Sequence, residues 1–408
     1  MLNPTAAEDA SLTQQRSRST SLEASPCQVR VLRTRSEIEE LRSFWTSCRT
    51  GRDADLDFFL FVSEVITATV RPHVIVVYSG GVPTALMCGR LEAAPKHIKA
   101  GYLTLRLPKV KTLIFVSDGW LGDISEVNSK SLVGSIVESL SSGEADVAIL
   151  YHPDLNSPLV KAARTLPKWF QRDYAISPQI HRVRDLKISP GGFLASISSK
   201  ERNNQKRRTR KLGEVFRDVH IDPLKFPDDF ERMMRDAEAV ASRSYQRNLN
   251  VGFINKPDIR SILEFEAQKG WLRAFILYLD HKPCAFFIGS LRERTFLCEY
   301  IAVDWAYEAY TPGMYLILEV LEDISRQRHG QVDLIDFGSG DAPWKERFGN
   351  RFWQESYVHI FNLSVKGTSI NAVQSLVAAL RPSIKGLLGT AGILDAVKRT
   401  WRGHLARK

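Results

Sequence analysis

Cysteine is scarce in this chain. There are five in 408 residues (Cys27, Cys48, Cys88, Cys284 and Cys298), and none stands in CxxC spacing. That excludes a disulfide framework and a cysteine-built zinc site, and the apolar runs around Cys88, Cys284 and Cys298 suit reduced, buried thiols. The nine histidines show neither metal-site spacing nor a nucleophilic dyad, so no metal is expected. No stretch reaches the ~18 apolar residues of a membrane span, and the N-terminus has no secretory apolar core. The expectation is a reduced, cytoplasmic protein, and 408 residues suggest two domains of ordinary size.

Acidic residues are outnumbered 46 to 56, a net charge of +10, but the imbalance is local. Between Ser198 and Gly213 seven basic residues stand against Glu201, and from Ser364 onward eight stand against Asp395. The remainder is slightly acidic, which points to two basic patches rather than a uniformly cationic surface.

In chain order, residues 1–27 are rich in Ser, Thr, Gln and Ala and read as a disordered tail. A short strand over 29–32 is followed by Ser36 and Glu39, the pattern of a capping box opening a helix through Ile38, Leu41 and Trp45. A second helix is expected over 56–69. The stretch 73–91 is an apolar hairpin around Ser79-Gly80-Gly81. It aligns without gaps on 273–291 at an offset of 200: Tyr78 with Tyr278, Pro83 with Pro283, Ala85 with Ala285, Gly89 with Gly289 and Leu91 with Leu291. Two helical segments precede each hairpin. A strand, a helix, an apolar strand, a short helix and a closing strand follow it. The order β-α-α-β-β-β-α-β-α-β is thus given twice, a tandem α/β duplication. The implied organisation is an N-terminal domain (28–190), a basic linker helix (191–213), a C-terminal domain (214–363) and basic amphipathic helices (364–408).

The chemical hints gather in 296–349. An apolar strand, FLCEYIAV, leads through a polar connection to TPGMYLILEVLEDISRQ. There Thr311 is placed as an N-cap and Pro312 as the first helical residue. Met314, Ile317, Leu318, Leu321 and Ile324 recur at helical spacing and define the buried face. A helix opening directly after an apolar strand is an anion site, or else an ordinary crossover with a good cap. The second half keeps this helix start and the polar strand exit DFGSGD, and the first half has neither. The second is therefore read as the working domain, with the first walling the cleft.

These stretches resemble the GNAT acyltransferases, whose element order this is. The doubled form is similar to the FemAB-like branch, and most of all to the CelD or BioF-type acetyltransferase domain. The likeness rests on the basic stretch SSKERNNQKRRTRKL (198–212), on TPGMYLILEVLEDISRQ (311–327) and on DFGSGDAPWKERFG (336–349). It implies α/β, tandem GNAT-like domains, each a mixed, mostly antiparallel sheet flanked by helices. It also implies acetyl-CoA or another acyl-CoA as co-substrate and an amine or hydroxyl acceptor, with a polysaccharide or cell-envelope precursor as what the family suggests. Donor phosphates would lie on the helix start at Thr311, Gly313, Met314 and Tyr315, and a backbone N–H of Ile301, Ala302 or Val303 would polarise the thioester carbonyl. Glu299 is the first candidate base and Asp336 the second, with Tyr300 as a proton donor to the departing thiolate. For Glu299 the alternative is a solvated strand face, and for Tyr300 it is packing. Asp341, Lys345 and Arg347 are candidate substrate contacts. Asp341 also suits a helix N-cap, and Lys345 and Arg347 also suit a solvated helix face.

Arg207 and Arg208 would contribute an anionic-ligand wall if the basic helix is more than a solvated linker. Nucleic acid is an unfavoured partner, because the basic helix has no interleaved aromatics. The C-terminal stripes (Val373, Leu376, Val377, Leu380, Ile384 and Leu387, then Ile393, Leu394, Val397, Trp401 and Leu405) suit either an anionic membrane surface or docking on the protein's own body or a partner. Two departures from the family pattern stand out. Residues 309–313 supply a single glycine, and Trp344 replaces the tyrosine that often precedes the lysine. Both favour a rival, a non-catalytic GNAT-derived binding or assembly protein. A further rival, a tRNA-dependent aminoacyl transferase, usually carries a helical-hairpin arm for which 213–270 leaves no room.

Overall fold

The computed structural model describes residues 28–100, 103–187, 191–248, 251–327, 332–340 and 342–390. The tail over 1–27, Asp341 and the second C-terminal stripe (Ile393 to Leu405) lie outside these residues. The first half runs β1 (Gln28–Leu32), α1 (Arg35–Glu39), α2 (Arg42–Ser47), α3 (Leu56–Val65), β2 (Thr69–Pro72), β3 (Val74–Ser79), β4 (Val82–Ala100), β5 (Leu103–Gly122), α4 (Glu126–Ser141), β6 (Val147–Leu150), α5 (Pro158–Thr165) and β7 (Gln179–Asp185). Next come α6 (Phe193–Ser196) and the basic α7 (Ser199–Val215). The second half runs β8 (Val219–Pro223), α8 (Phe230–Ser242), α9 (Tyr245–Asn248), α10 (Pro257–Gln268), β9 (Leu272–Leu279), β10 (Lys282–Arg292), β11 (Thr295–Val303), α11 (Pro312–Gln327), β12 (Leu334–Ser339), α12 (Pro343–Phe348), β13 (Arg351–Glu355) and β14 (Val358–Phe361), before α13 (Val365–Thr390).

The duplication is visible at the level of single residues. In the first hairpin Tyr78 pairs with Pro83 and Val77 with Ala85, and in the second Tyr278 pairs with Pro283 and Leu277 with Ala285, each with a bulge between. The paired glycines do the same work in both. A Cβ on Gly89 would meet the Phe115 ring at 2.6 Å, and one on Gly289 would meet the Phe296 ring at the same distance. Each sheet is mostly antiparallel, with one parallel pair at the equivalent place, β5 with β6 and β11 with β12. Helices cover both faces of each sheet.

The closing strands depart from the expected arrangement. Among the described residues one sheet has the order β1-β3-β4-β5-β6-β14, with β2 on β4, and the other β13-β7-β12-β11-β10-β9-β8. The strand expected to close the first half, β7, lies between β12 and β13 of the second. In return β14 pairs with β6 of the first. The single strand expected over 352–362 is therefore two, broken at Ser356-Tyr357 where the chain changes sheets. Burial explains the exchange. Val358, Ile360 and Phe361 complete the apolar core of the first half, whereas the polar β7 sends His181 to carboxylates of the second.

Two smaller differences concern caps. The capping box forms from Thr34 and Glu37, not Ser36 and Glu39, and the helix breaks into α1 and α2, although Ile38, Leu41 and Trp45 are all buried. The helix expected over 56–69 ends at Val65, and Thr69 starts β2. In α13, Ile370 is buried and Asn371 Nδ2 donates to the carbonyls of Phe170 (2.9 Å) and Arg172 (3.0 Å), so the first turns of this helix dock on the body. Leu376 and Leu380 are exposed on it. No described helix is long and apolar enough to cross a membrane.

Candidate active site

Strands β11 and β12 pair only at Thr295–Leu297 against Leu334–Asp336, and beyond that they part. The opening is a cleft of about 510 Å³ whose lining includes Cys298, Glu299, Ile301, Val303, Thr311, Gly313, Met314, Phe337, Trp344 and Lys345. The start of α11 forms one wall. Its far rim comes from Tyr245 and Gln246 of α9 and from Glu308, none of which has a sequence signal of its own. Asp304 N–H donates to Cys284 C=O (2.8 Å), so strand alternation turns the N–H of Ala302 towards β10 and those of Ile301 and Val303 into the cleft. Of the three candidate backbone donors, Ala302 is thereby removed.

Thr311 is not an extended side-chain cap. It sits in the left-handed region at φ 52°, ends the 3-10 turn Trp305–Tyr310, and accepts the Tyr315 N–H on its carbonyl. Gly313 answers a packing need, since a Cβ there would meet Val303 Cγ2 at 2.5 Å. Thr311, Gly313 and Met314 line the cleft. Tyr315 does not, and its carbonyl accepts from Gln205 of α7 (3.1 Å).

Glu299 is the extra residue of a β-bulge. Tyr300 pairs with Ile288 and Cys298 with Gly289, so Glu299 has no partner on β10. A bulge re-aims side chains, and here it brings Cys298 and Glu299 both to the cleft. The solvated-face reading of Glu299 fails, because its side chain is 9% exposed and paired to Arg52 Nη1 at 2.5 Å. The same nitrogen reaches Glu266 Oε1 at 3.1 Å, and that side chain is fully buried. Burial pushes both carboxyls above their ordinary range. Tyr300, by contrast, is not part of the cleft lining and packs edge-on to Phe253 (5.6 Å) against the core, which fits the packing alternative.

The motif DFGSG is a bend. Gly338 (φ 70°) and Gly340 (φ 98°) take left-handed backbone, and Gly338 N–H donates to Asp336 Oδ1 (2.7 Å). Lys345 Nζ donates to the carbonyls of Ser339 (2.7 Å) and Gly338 (3.3 Å), which clamps the bend on the cleft side, and burial lowers its pKa. Asp336 does not line the cleft. Its carboxylate accepts from His181 Nε2 (2.8 Å), while His181 Nδ1 donates to Glu355 (2.8 Å) and the ring stacks on Trp353 at 4.2 Å. Asp341, a candidate substrate contact, lies outside the described residues. Arg347 pairs with Glu201 of α7 (3.3 Å) rather than projecting into solvent.

With a carboxylate on each ring nitrogen, His181 must donate twice and is an imidazolium. Burial alone would lower its pKa, but the hydrogen bonds it donates to both carboxylates raise it to about 9. A folded value above the unfolded ~6.5 means stability that is complete below that value and lost as pH rises through about 9. Thermal unfolding should therefore show a fall in stability across that window, on the order of 2 kcal/mol, which His181→Gln flattens. An equal fall in the variant would contradict the assignment.

The basic helix is not a free linker. Leu212 and Gln205 are buried, and Gln205 also donates to Glu319 of α11 (2.9 Å). Lys211 Nζ holds the Ala309 carbonyl (2.8 Å). Arg207, Arg208, Arg210 and Lys211 line a groove of about 400 Å³ that ends at Thr311. The basic patch and the start of α11 are therefore one continuous surface.

Comparison with known proteins bears on the fold. Residues 199–346, from the basic helix to α12, match the family model described as an acetyltransferase (GNAT) domain. A crystal structure of FemX superposes with a TM-score of 0.53 at 10% identity, covering 82% of this chain and 98% of that one. A tandem GNAT protein from the clavulanic acid biosynthesis pathway superposes with a TM-score of 0.50 at 13% identity, over 83% and 99%. The structure of L-PGS from Bacillus licheniformis covers 83% and 96%, at 14% identity and a TM-score of 0.44. No curated protein matches the sequence. The chain has a tandem GNAT-like fold, and its second half carries a GNAT acyltransferase-type domain.

Proposed function

We propose that this protein is an acyl-CoA-dependent acyltransferase of FemAB-like or CelD-type organisation, transferring an acetyl or similar acyl group to an amine. The observation that carries the reading is the parting of β11 from β12 at the start of α11, which opens one cleft onto two inward N–H groups, a buried carboxylate and a basic groove. The donor's phosphates lie along Thr311 and the arginines of α7, where the helix start and four cations favour anions. Its thioester carbonyl accepts from Ile301 or Val303 N–H. Glu299 takes one proton from the acceptor ammonium, the freed amine attacks the carbonyl carbon, and the C–S bond breaks to release CoA thiolate, which takes up the second proton lost from the nitrogen to leave the amide and free CoA thiol. Holding donor and amine together supplies much of the rate. The acceptor is a small molecule or a polysaccharide or cell-envelope precursor. The exposed Leu376 and Leu380 of α13, which precede a run of basic residues in the sequence, suit a peripheral membrane contact.

Gly313→Glu would test packing on Val303 rather than binding, so exposed residues make the better probe. Calorimetric titration of acetyl-CoA should give a dissociation constant on the order of micromolar. Reversing Arg207 and Arg210 to Glu together should weaken it about tenfold or more and reduce its salt dependence. Equal affinity in the double variant would remove the α7 groove from the donor site. Absence of binding to acetyl-CoA, CoA and longer acyl-CoA would favour the non-catalytic binding protein.

A further inference from the structure

A loop of the N-terminal half carries Arg52 to Glu299 and Glu266, and that loop is fixed from several sides. Arg292 of β10 donates to the Thr50 carbonyl (2.5 Å), to Thr50 Oγ1 (2.8 Å) and to Asp55 (3.0 Å). Lys269 of the α10–β9 turn pairs with Asp57 (2.8 Å). Gly51 passes over Asp118, so closely that a Cβ would meet Asp118 Oδ2 at 2.9 Å. The Arg52 guanidinium is held over the Phe58 ring at 5.3 Å and bonded to Asp53 (2.9 Å). Such a clamped loop has little freedom to place Arg52 anywhere else.

We infer that Arg52 is a positioning residue for Glu299, and that Glu266 shares with Glu299 a proton the buried pair retains near neutral pH. The inference rests on the reading of Glu299 as the base. One guanidinium nitrogen contacts both carboxylates, so the two are near neighbours and their charges repel. Full ionisation would leave more negative charge in a buried place than Arg52 can offset. The other charged and titratable groups around Glu299 do not change the sign. Asp53 on the loop adds negative charge, and Cys298 and Tyr300 flank it on β11. Lys345 and Glu308 line the same cleft, and Asp336 of β12 acts on Cys298 from outside its lining.

The arrangement sets the basicity of Glu299 from two directions. Arg52 alone would make it a strong acid and so a weak base. Burial beside Glu266 alone would keep both carboxyls protonated. Together they leave an ionised carboxylate that is still willing to take a proton close to neutral pH, which is what unloading an ammonium needs.

The test uses full-length protein labelled with 13C at the glutamate carboxyl and titrated by NMR from about pH 4 to about pH 10. The resonances of Glu299 and Glu266 are assigned as those lost in Glu299→Gln and Glu266→Gln. Glu266→Gln, which keeps shape and the hydrogen bond to Arg52, should move the Glu299 titration down by at least about one pH unit. Arg52→Gln should move it up, and Arg52→Lys should restore most of the wild-type value. A Glu299 that titrates as an ordinary carboxylate, or is unmoved by Glu266→Gln, overturns the inference. Spectroscopy reads the shared proton whether or not turnover needs it. Full turnover by Glu299→Gln would therefore sink the base reading alone.

Discussion

Glu299→Gln should lower kcat by about 10²–10⁴-fold, the usual worth of a positioned base, while acetyl-CoA binding stays within about twofold. Several features make the expectation specific. Gln has the same shape, so the bulge that turns residue 299 into the cleft is kept. Arg52 retains Glu266 and Asp53 as partners, so no buried charge is left bare. The inward N–H groups of Ile301 and Val303 are backbone and survive the change. Only the proton acceptor is lost. The assay follows thiol release from acetyl-CoA against a panel of amines, over a range of pH. The acidic limb of kcat/KM should disappear in the variant, because burial places the Glu299 carboxyl above its ordinary range and so sets that limb in the wild type. An unchanged rate and an unchanged limb would take Glu299 out of the chemistry.

The second large effect concerns folding. Residues 191–363 produced alone should show no cooperative unfolding and no acetyl-CoA binding, although they contain the whole family-matched segment. In that fragment β12 and β13 face a gap, since the strand between them is β7. β7 forms ladders on both sides, with Asp185, Arg184, Val183 and His181 on β12 and with Val183 to Gln179 on β13. At roughly 1 kcal/mol net per hydrogen bond, the loss is comparable with the whole stability of a domain, about 5–15 kcal/mol. The fragment also lacks Arg52 and His181, which leaves Glu299, Glu266, Asp336 and Glu355 without their counter-charges. Co-expression of 28–190 with 191–408 should restore both properties, because each piece then carries the strand the other needs. A cooperatively folded, ligand-binding 191–363 would contradict this.

Much of the frame is legible in the sequence, for identifiable reasons. The hairpin repeat is visible because bulged registers and glycines under phenylalanines demand the same residue types twice, at Pro83 and Pro283 and at Gly89 and Gly289. The start of α11 is visible from Pro312, and its core face from the spacing of Ile317, Leu318, Leu321 and Ile324, all of them buried. The exchange of closing strands is invisible because a strand's local pattern does not name its sheet. QIHRVRD is a plausible edge for either half, and its charged residues make sense only beside Asp336, Glu346 and Glu355. Which of Glu299 and Tyr300 meets the cleft is not legible locally, because one unpaired residue at 299 shifts the alternation and nothing in the sequence marks a bulge there. Arg52 lies in a polar loop without periodicity, so its pairing with Glu266 and Glu299 depends wholly on the tertiary fold.

Hydrogen exchange of the full-length protein, measured by mass spectrometry with and without saturating acetyl-CoA, tests the central claim most directly. The account predicts slowed exchange in peptides covering 298–317 and 204–214, where the inward N–H groups, the start of α11 and the basic groove meet, with the first half largely unchanged outside the Arg52 loop. Slowed exchange confined to the first half, or none anywhere at saturating ligand, would show that the cleft between β11 and β12 is not where an acyl-CoA binds.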